Sequence, residues 1–190
     1  LFRTGEMGLA FQHRDANYGW SVHDASVDTG APWVKLERQG SRLIGSYSWD
    51  GANWAWMAQT TINMNSSVYV GLALTSNSPS YSGVEFASVN ATSDSAPVTT
   101  GSWTSADIGS PQLAGSSSPY QDGLVLTAGG ADVWGTSDQF RFAYQQMTGD
   151  GSIVALVRGL SAADAWSKAG VMIRDSLGAN SPHAFMLISG

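Results

Sequence analysis

Apolar side chains recur at every second position through most of this chain, and that constrains the fold more than any other feature. Met7, Leu9 and Phe11 form one such series, Val34 and Leu36 another, and Val68, Val70, Leu72 and Leu74 a third. Later come Phe140, Phe142 and Tyr144, then Ile153, Ala155 and Val157, then Val171 and Ile173. An extended backbone points alternate side chains to opposite sides, so each series is the buried face of a half-exposed strand. Between the series stand Gln39-Gly40-Ser41, Asp50-Gly51 and Asp150-Gly151, residues that tolerate the positive φ of tight connections. Only Ser161 to Lys168 leaves room for a short helix. The expectation is an all-β chain, an antiparallel β-sandwich or jelly roll.

A length of 190 residues, of which 43% are hydrophobic, is enough for one domain with a substantial core. Lys and Arg total only 9 against a net charge of -6, which excludes nucleic acid and disfavours an anionic membrane surface as partners. No apolar run approaches the ~20 residues that span a bilayer, so membrane insertion is not expected. The absence of Cys removes thiol nucleophiles, thiolate metal sites and disulfides from consideration. A Cys-free chain rich in Ser, Thr and Gly suits a bacterial protein that is extracellular or on the cell surface. No signal peptide is visible at Leu1-Phe2-Arg3.

The chain opens and closes on β-patterns, Met7 to Arg14 and His183 to Ile188, while the stretch that reads most like a boundary, Ala91 to Ala106, is interior. Two groups of blocks flank it. The first comprises Trp33-Val34-Lys35-Leu36-Glu37-Arg38-Gln39-Gly40, Ser46-Tyr47-Ser48-Trp49-Asp50-Gly51-Ala52-Asn53-Trp54 and Val68-Tyr69-Val70-Gly71-Leu72. The second comprises Asp107-Ile108-Gly109, Gly129-Gly130-Ala131-Asp132-Val133-Trp134-Gly135, Asp138-Gln139-Phe140 and Lys168-Ala169-Gly170-Val171-Met172-Ile173-Arg174. Together they resemble a bacterial extracellular branch of the concanavalin A-like lectin/glucanase superfamily, over most of the chain. In that family the Asp-Ile-Gly block opens the module and the Trp-Val-Lys-Leu block closes it; here the order is reversed. The resemblance implies that residues 1–92 are the C-terminal half of a sandwich, 93–106 a linker and 107–190 its N-terminal half. Three arrangements satisfy it: a permuted single domain, a window cut from a tandem array, or a subunit that exchanges strands. Other copies of the chain or neighbouring modules are the partners implied.

Catalytic members of that superfamily place two Glu on one strand, and retaining glycosidases need carboxylates about 5–5.5 Å apart. This chain has three Glu, at 6, 37 and 85, each isolated, so it is not expected to be an enzyme. His13, His23 and His183 are scattered and read as strand or core histidines; His23-Asp24 beside a Ser makes no triad. Asp132, Asp138 and Asp150 offer oxygen donors in a turn-rich region, weak candidates for calcium, with turn-fixing the competing reading; no other cofactor is expected. Eight Trp are many for this length, and sugars present flat C–H faces to aromatic rings. The densest cluster holds Trp49, Trp54 and Trp56, and Tyr18-Gly19-Trp20 is a second candidate surface; each could meet a glycan or a neighbouring module. Trp33, Trp54 and Trp134 also read as packing residues. The function expected is a non-catalytic structural or adhesive module, a repeat in a surface protein or a fibre subunit. The alternative is a carbohydrate-binding module of a secreted glycan-active protein.

Overall fold

A computed structural model describes residues 8–94 and 103–190. In chain order the strands are β1 (Leu9–Arg14), β2 (Val22–Val27), β3 (Trp33–Gln39), β4 (Arg42–Ser48), β5 (Ala55–Thr61), β6 (Ser67–Thr75), β7 (Ser78–Ser93), β8 (Thr104–Ile108), β9 (Ser116–Tyr120), β10 (Gly123–Gly130), β11 (Phe140–Thr148), β12 (Gly151–Ser161), β13 (Lys168–Arg174) and β14 (His183–Ser189). They form two seven-stranded antiparallel sheets, β2-β1-β14-β13-β6-β11-β8 and β5-β4-β3-β12-β7-β10-β9. The all-β sandwich expected from the alternation is the fold observed.

Most of the side chains that set the alternation meet between the sheets; Phe140 and Phe142 lie instead on the outer face of the first sheet. Leu9, Phe11, Leu72 and Val171 from the first sheet pack with Val34, Leu36, Phe86, Leu126 and Ile153 from the second, all without solvent contact. Each sheet contains strands from both sides of the 93–106 span, and one core is built from both. β7 reaches Ser93, and β8 begins at Thr104; residues 95–102 of that span lie outside the described residues. The β7 end lacks apolar alternation because its hydroxyls serve instead: Thr92 and Ser152 hydroxyls bond at 3.1 Å across to β12, and Ser93 Oγ donates to the Thr148 carbonyl. β1 and β14 are hydrogen-bonded neighbours, with Leu9 opposite Ile188 and Arg14 opposite His183.

The helix anticipated over Ser161 to Lys168 is absent: β12 runs through Ser161, a turn follows, and β13 starts at Lys168. Side-chain oxygens capture the amides a helix would have used, a competition at which Ser and Asp excel. Ser82 Oγ takes Ala163 N–H, Ser167 Oγ takes Asp164 N–H and Asp164 Oδ1 takes Trp166 N–H.

The first sheet buries its outer face as well. Ala10, Phe185, Leu187, Met172, Ala73, Phe140 and Phe142 make a second cluster, covered by Val133, Leu177 and Ala179 from connecting loops. β13 and β14 are therefore buried at every position, as strands covered on both faces must be. This loop-covered face positions the candidate site.

Candidate functional site

Strand register aligns Arg14, His183 and Arg174 as cross-strand neighbours in one row on the outer face of the first sheet. Two guanidinium groups with an imidazole between them, none exposed, would repel each other and strand their charge away from water. Asp138, from the loop 131–139, is set down over the row. Arg14 grips its carboxylate with both ends of the guanidinium, Nη1 to Oδ2 at 2.8 Å and Nη2 to Oδ1 at 2.6 Å, the bidentate geometry that suits Arg. Arg174 Nη2 lies 3.6 Å and His183 Nδ1 3.7 Å from Oδ2. Arg174 disperses its remaining charge over the Ser176 and Gly178 carbonyls and the Phe140 ring, 5.0 Å from its guanidinium carbon. Burial lowers its pKa to about 10, with Asp138 opposing and Arg14 reinforcing, so it stays charged at neutral pH.

Arg14 also ties three loops together. Its Nε donates to the Gly19 carbonyl, Nη1 to Ala179 and Ser181 carbonyls, and Nη2 to Ser21 Oγ and the Trp134 and Gly135 carbonyls. Backbone bonds complete the tie: Tyr18 N–H to Asn180 O and Ser21 N–H to Gly135 O. Loops 15–21, 131–139 and 175–182 are thus fixed on one another by the buried Arg14–Asp138 pair together with these carbonyl and backbone bonds.

On this base stand large aromatic rings in solvent: Tyr18 is 75% exposed, Trp20 73% and Trp134 39%. Tyr18 has φ 61, an uncommon backbone for a bulky residue, held by its bond to Asn180. The Trp20 ring lies against Gly135, so a Cβ there would be 3.9 Å from it. Beside Trp134, Lys168 Nζ sits 5.1 Å from the ring centroid, 2.7 Å from Asp132 Oδ1 and 3.1 Å from the Val133 carbonyl. Burial lowers the Lys168 pKa and Asp132 opposes the shift; His23 is lowered by burial and then by the Lys168 charge. Tyr18 and Trp20 are therefore exposed on the connection that follows β1. Trp134, read as a packing residue, joins the same surface, and the Gly129-Gly130 and Gly135 bracketing it were the available signal, since such flanks mark an exposed loop.

The other expected cluster lies on the second sheet. Trp49 and Trp56 are each 64% exposed. Trp54 precedes β5, so the two-residue spacing to Trp56 is not a strand spacing, and it lies under Lys35, whose Nζ is 4.9 Å from the ring and 2.6 Å from Glu37. The Asp50 carboxylate collects the Ala52 and Asn53 amides and the Ser48 hydroxyl, which, with the Asn53 backbone bond foremost, holds its pKa far below the usual range. Trp33 packs on this turn: Gly51 has φ 75, and a Cβ there would be 2.8 Å from the Trp33 ring. Gly51→Val is expected to cost about 2 kcal/mol through combined backbone strain and overpacking, read as a lower urea midpoint at unchanged slope.

The three aspartates do not converge. Asp138 serves Arg14, Asp132 serves Lys168, and Asp150 Oδ1 accepts the Gly40 amide at 2.6 Å. Among the described residues no three of His, Asp and Glu are arranged to hold a metal ion. His13, on the strand pattern, has Asp15 at 3.0 Å from Nε2 and Asp24 at 2.7 Å from Nδ1. Despite that approach, Nδ1 makes no hydrogen bond. His23 meets Gln12 Nε2 at 3.4 Å. Glu37 pairs with Lys35, and Glu85 with Arg158, which also reaches Asp122; Glu6 lies outside the described residues. No family model matches the chain, and no curated protein matches its sequence.

Proposed function

We propose that this chain is a non-catalytic adhesive module of an extracellular surface protein that binds carbohydrate through Tyr18, Trp20 and Trp134. The observation that carries the reading is the exposure of three large rings on loops made rigid by the Arg14–Asp138 pair. Folding does not leave rings in water for stability, and rigid rings lose little entropy on stacking against a sugar. Kinship with the concanavalin A-like superfamily, its halves in permuted order, is part of this proposal. The interleaving of both halves in each sheet and the pairing of β1 with β14 support it. That pairing within one chain also favours a closed module over one that trades strands with its neighbours. The ion pairs that engage Glu37 and Glu85 support the non-catalytic reading.

Affinity electrophoresis through gels containing neutral plant, fungal and bacterial polysaccharides tests the binding. At least one should retard the protein, and Trp20→Ala should weaken that interaction about tenfold or more, as removal of a central aromatic anchor does. Retardation that Trp20→Ala leaves unchanged contradicts the reading.

A further inference from the structure

A cavity of about 320 Å³ opens on the other flank of loop 131–139, between Asn77, Gln112 and Gln139, and none of the three exposed rings lines it. Its size is at the lower end of small-molecule sites. The polar side chains around it are the amides of Asn77, Gln112 and Gln139 and the Ser78 hydroxyl, with no charged residue, and Pro79 and Leu113 supply apolar walls. Two of the amides are already oriented. Asn77 commits its Nδ2 to Asp164 Oδ1 at 3.0 Å, which leaves its Oδ1 as an acceptor. Gln139 commits its Oε1 to the Ala131 amide at 3.3 Å, which leaves its Nε2 as a donor. Asn77 holds this position with φ 49, a left-handed backbone of the kind often kept where a ligand is gripped.

The wall contributed by Gly130 is bare backbone by necessity. Its φ is 122, and a Cβ would collide with the Gln139 carbonyl oxygen. Thr75 Oγ1 donates to the Gln139 carbonyl and Ser76 Oγ to the Ser78 carbonyl, each at 2.9 Å, and both hydroxyls lie 3.3–3.4 Å from the Gly130 carbonyl, so this wall is packed on a hydrogen-bonded base. The cavity therefore offers a fixed acceptor, a fixed donor, an adaptable amide at Gln112 and apolar surface, without charge. A hydroxyl that donates to Asn77 and a neighbour that accepts from Gln139 satisfy it, with C–H groups against Pro79 and Leu113. That is the chemistry of one neutral pyranose ring.

We infer that this cavity is a second carbohydrate site, for a single neutral pyranose, distinct from the aromatic surface. It extends the carbohydrate reading but does not depend on Trp20 or Trp134, so the two fail separately. The test is two-dimensional ¹H–¹⁵N NMR of the whole chain titrated with D-glucose, D-galactose, D-mannose and D-xylose, with D-glucuronate as the charged comparison. At least one neutral sugar should saturably shift the side-chain amides of Asn77, Gln112 and Gln139 and the backbone amides of Gly130 and Ala131. Gln139→Met should weaken that binding about fivefold, equivalent to one hydrogen bond of about 1 kcal/mol. Gln112→Ala, a change at an exposed position, should weaken it without altering the fold, and Trp20→Ala should leave it unchanged. No saturable shift with any neutral sugar would overturn the assignment, as would a preference for glucuronate. Shifts confined to Tyr18, Trp20 and Trp134 would overturn it too, while leaving the aromatic surface as the binding site.

Discussion

Asp138→Asn is expected to destabilise the protein by about 3–5 kcal/mol, the cost of leaving a buried charge without its partner. The substitution keeps the size and shape of the side chain but removes the one carboxylate that faces Arg14, Arg174 and His183 together. Arg14, fully buried, cannot turn to water, and the carbonyls it touches offset only part of its charge. A loss this large is a sizeable fraction of the whole stability of a domain, so the variant should show a much lower urea midpoint or fail to accumulate folded. The companion variant Arg14→Met/Asp138→Leu removes both charges and should be less destabilised than Asp138→Asn, because its remaining defect is packing. An unfolding free energy for Asp138→Asn within about 0.5 kcal/mol of the parent, a surface-like effect, would show that the pair is not what fixes the three loops.

Acid should weaken the parent protein over a window set by His183. Burial pushes its pKa down to about 4, against the pull of Asp138 and with help from Arg174 and Arg14. The geometry agrees: Nδ1 faces the Ser181 carbonyl at 3.3 Å, while Nε2 is buried without a partner, so a second ring proton would have no acceptor. Below pH about 6.5 the unfolded chain takes up a proton that the folded chain refuses. Stability is therefore whole above that pH, falls as pH drops, and levels off below about pH 4. The total is on the order of 3 kcal/mol, from 1.36 kcal/mol for each unit of difference. Carboxylates add their own acid dependence, so the informative quantity is the difference between the parent and His183→Gln in urea titrations at pH 7 and pH 5. The parent should lose more, by about 2 kcal/mol; equal losses would mean that folding does not hinder protonation of His183.

Alternation made visible strands with one wetter face, such as β3, where Val34 and Leu36 lie at every second position, and also β1, β6, β11 and β13, whose second face is covered and carries apolar residues of its own. β2 and β9 escaped because they are edge strands with little to bury: Val-His-Asp-Ala-Ser-Val and Ser-Ser-Ser-Pro-Tyr carry no apolar series. The helix expected near Ser161 lost to hydroxyl and carboxylate competition for its amides, which depends on Ser82, far away in sequence. Tyr18 and Trp20 could be picked out because a polar, Gly-containing connection has no strand to bury them. Asp138 could not be understood from its surroundings, since a loop aspartate looks the same whether it waits for calcium or for a guanidinium. Its partner, Arg14, is 124 positions away, and only the pairing of β1 with β14 brings that side chain beneath the loop. The same separation hid the cavity, whose Asn77 and Gln139 come from connections on opposite sides of the 93–106 span.

The most direct test of the aromatic surface is ¹⁹F NMR of protein labelled with 5-fluorotryptophan, its eight tryptophan lines assigned by single Trp→Phe substitutions. In the presence of a polysaccharide that retards the protein, the lines of Trp20 and Trp134 should shift or broaden. Those of Trp49, Trp54 and Trp56 should stay in place. Movement of the latter lines with Trp20 and Trp134 unchanged would transfer binding to the second sheet and contradict the account.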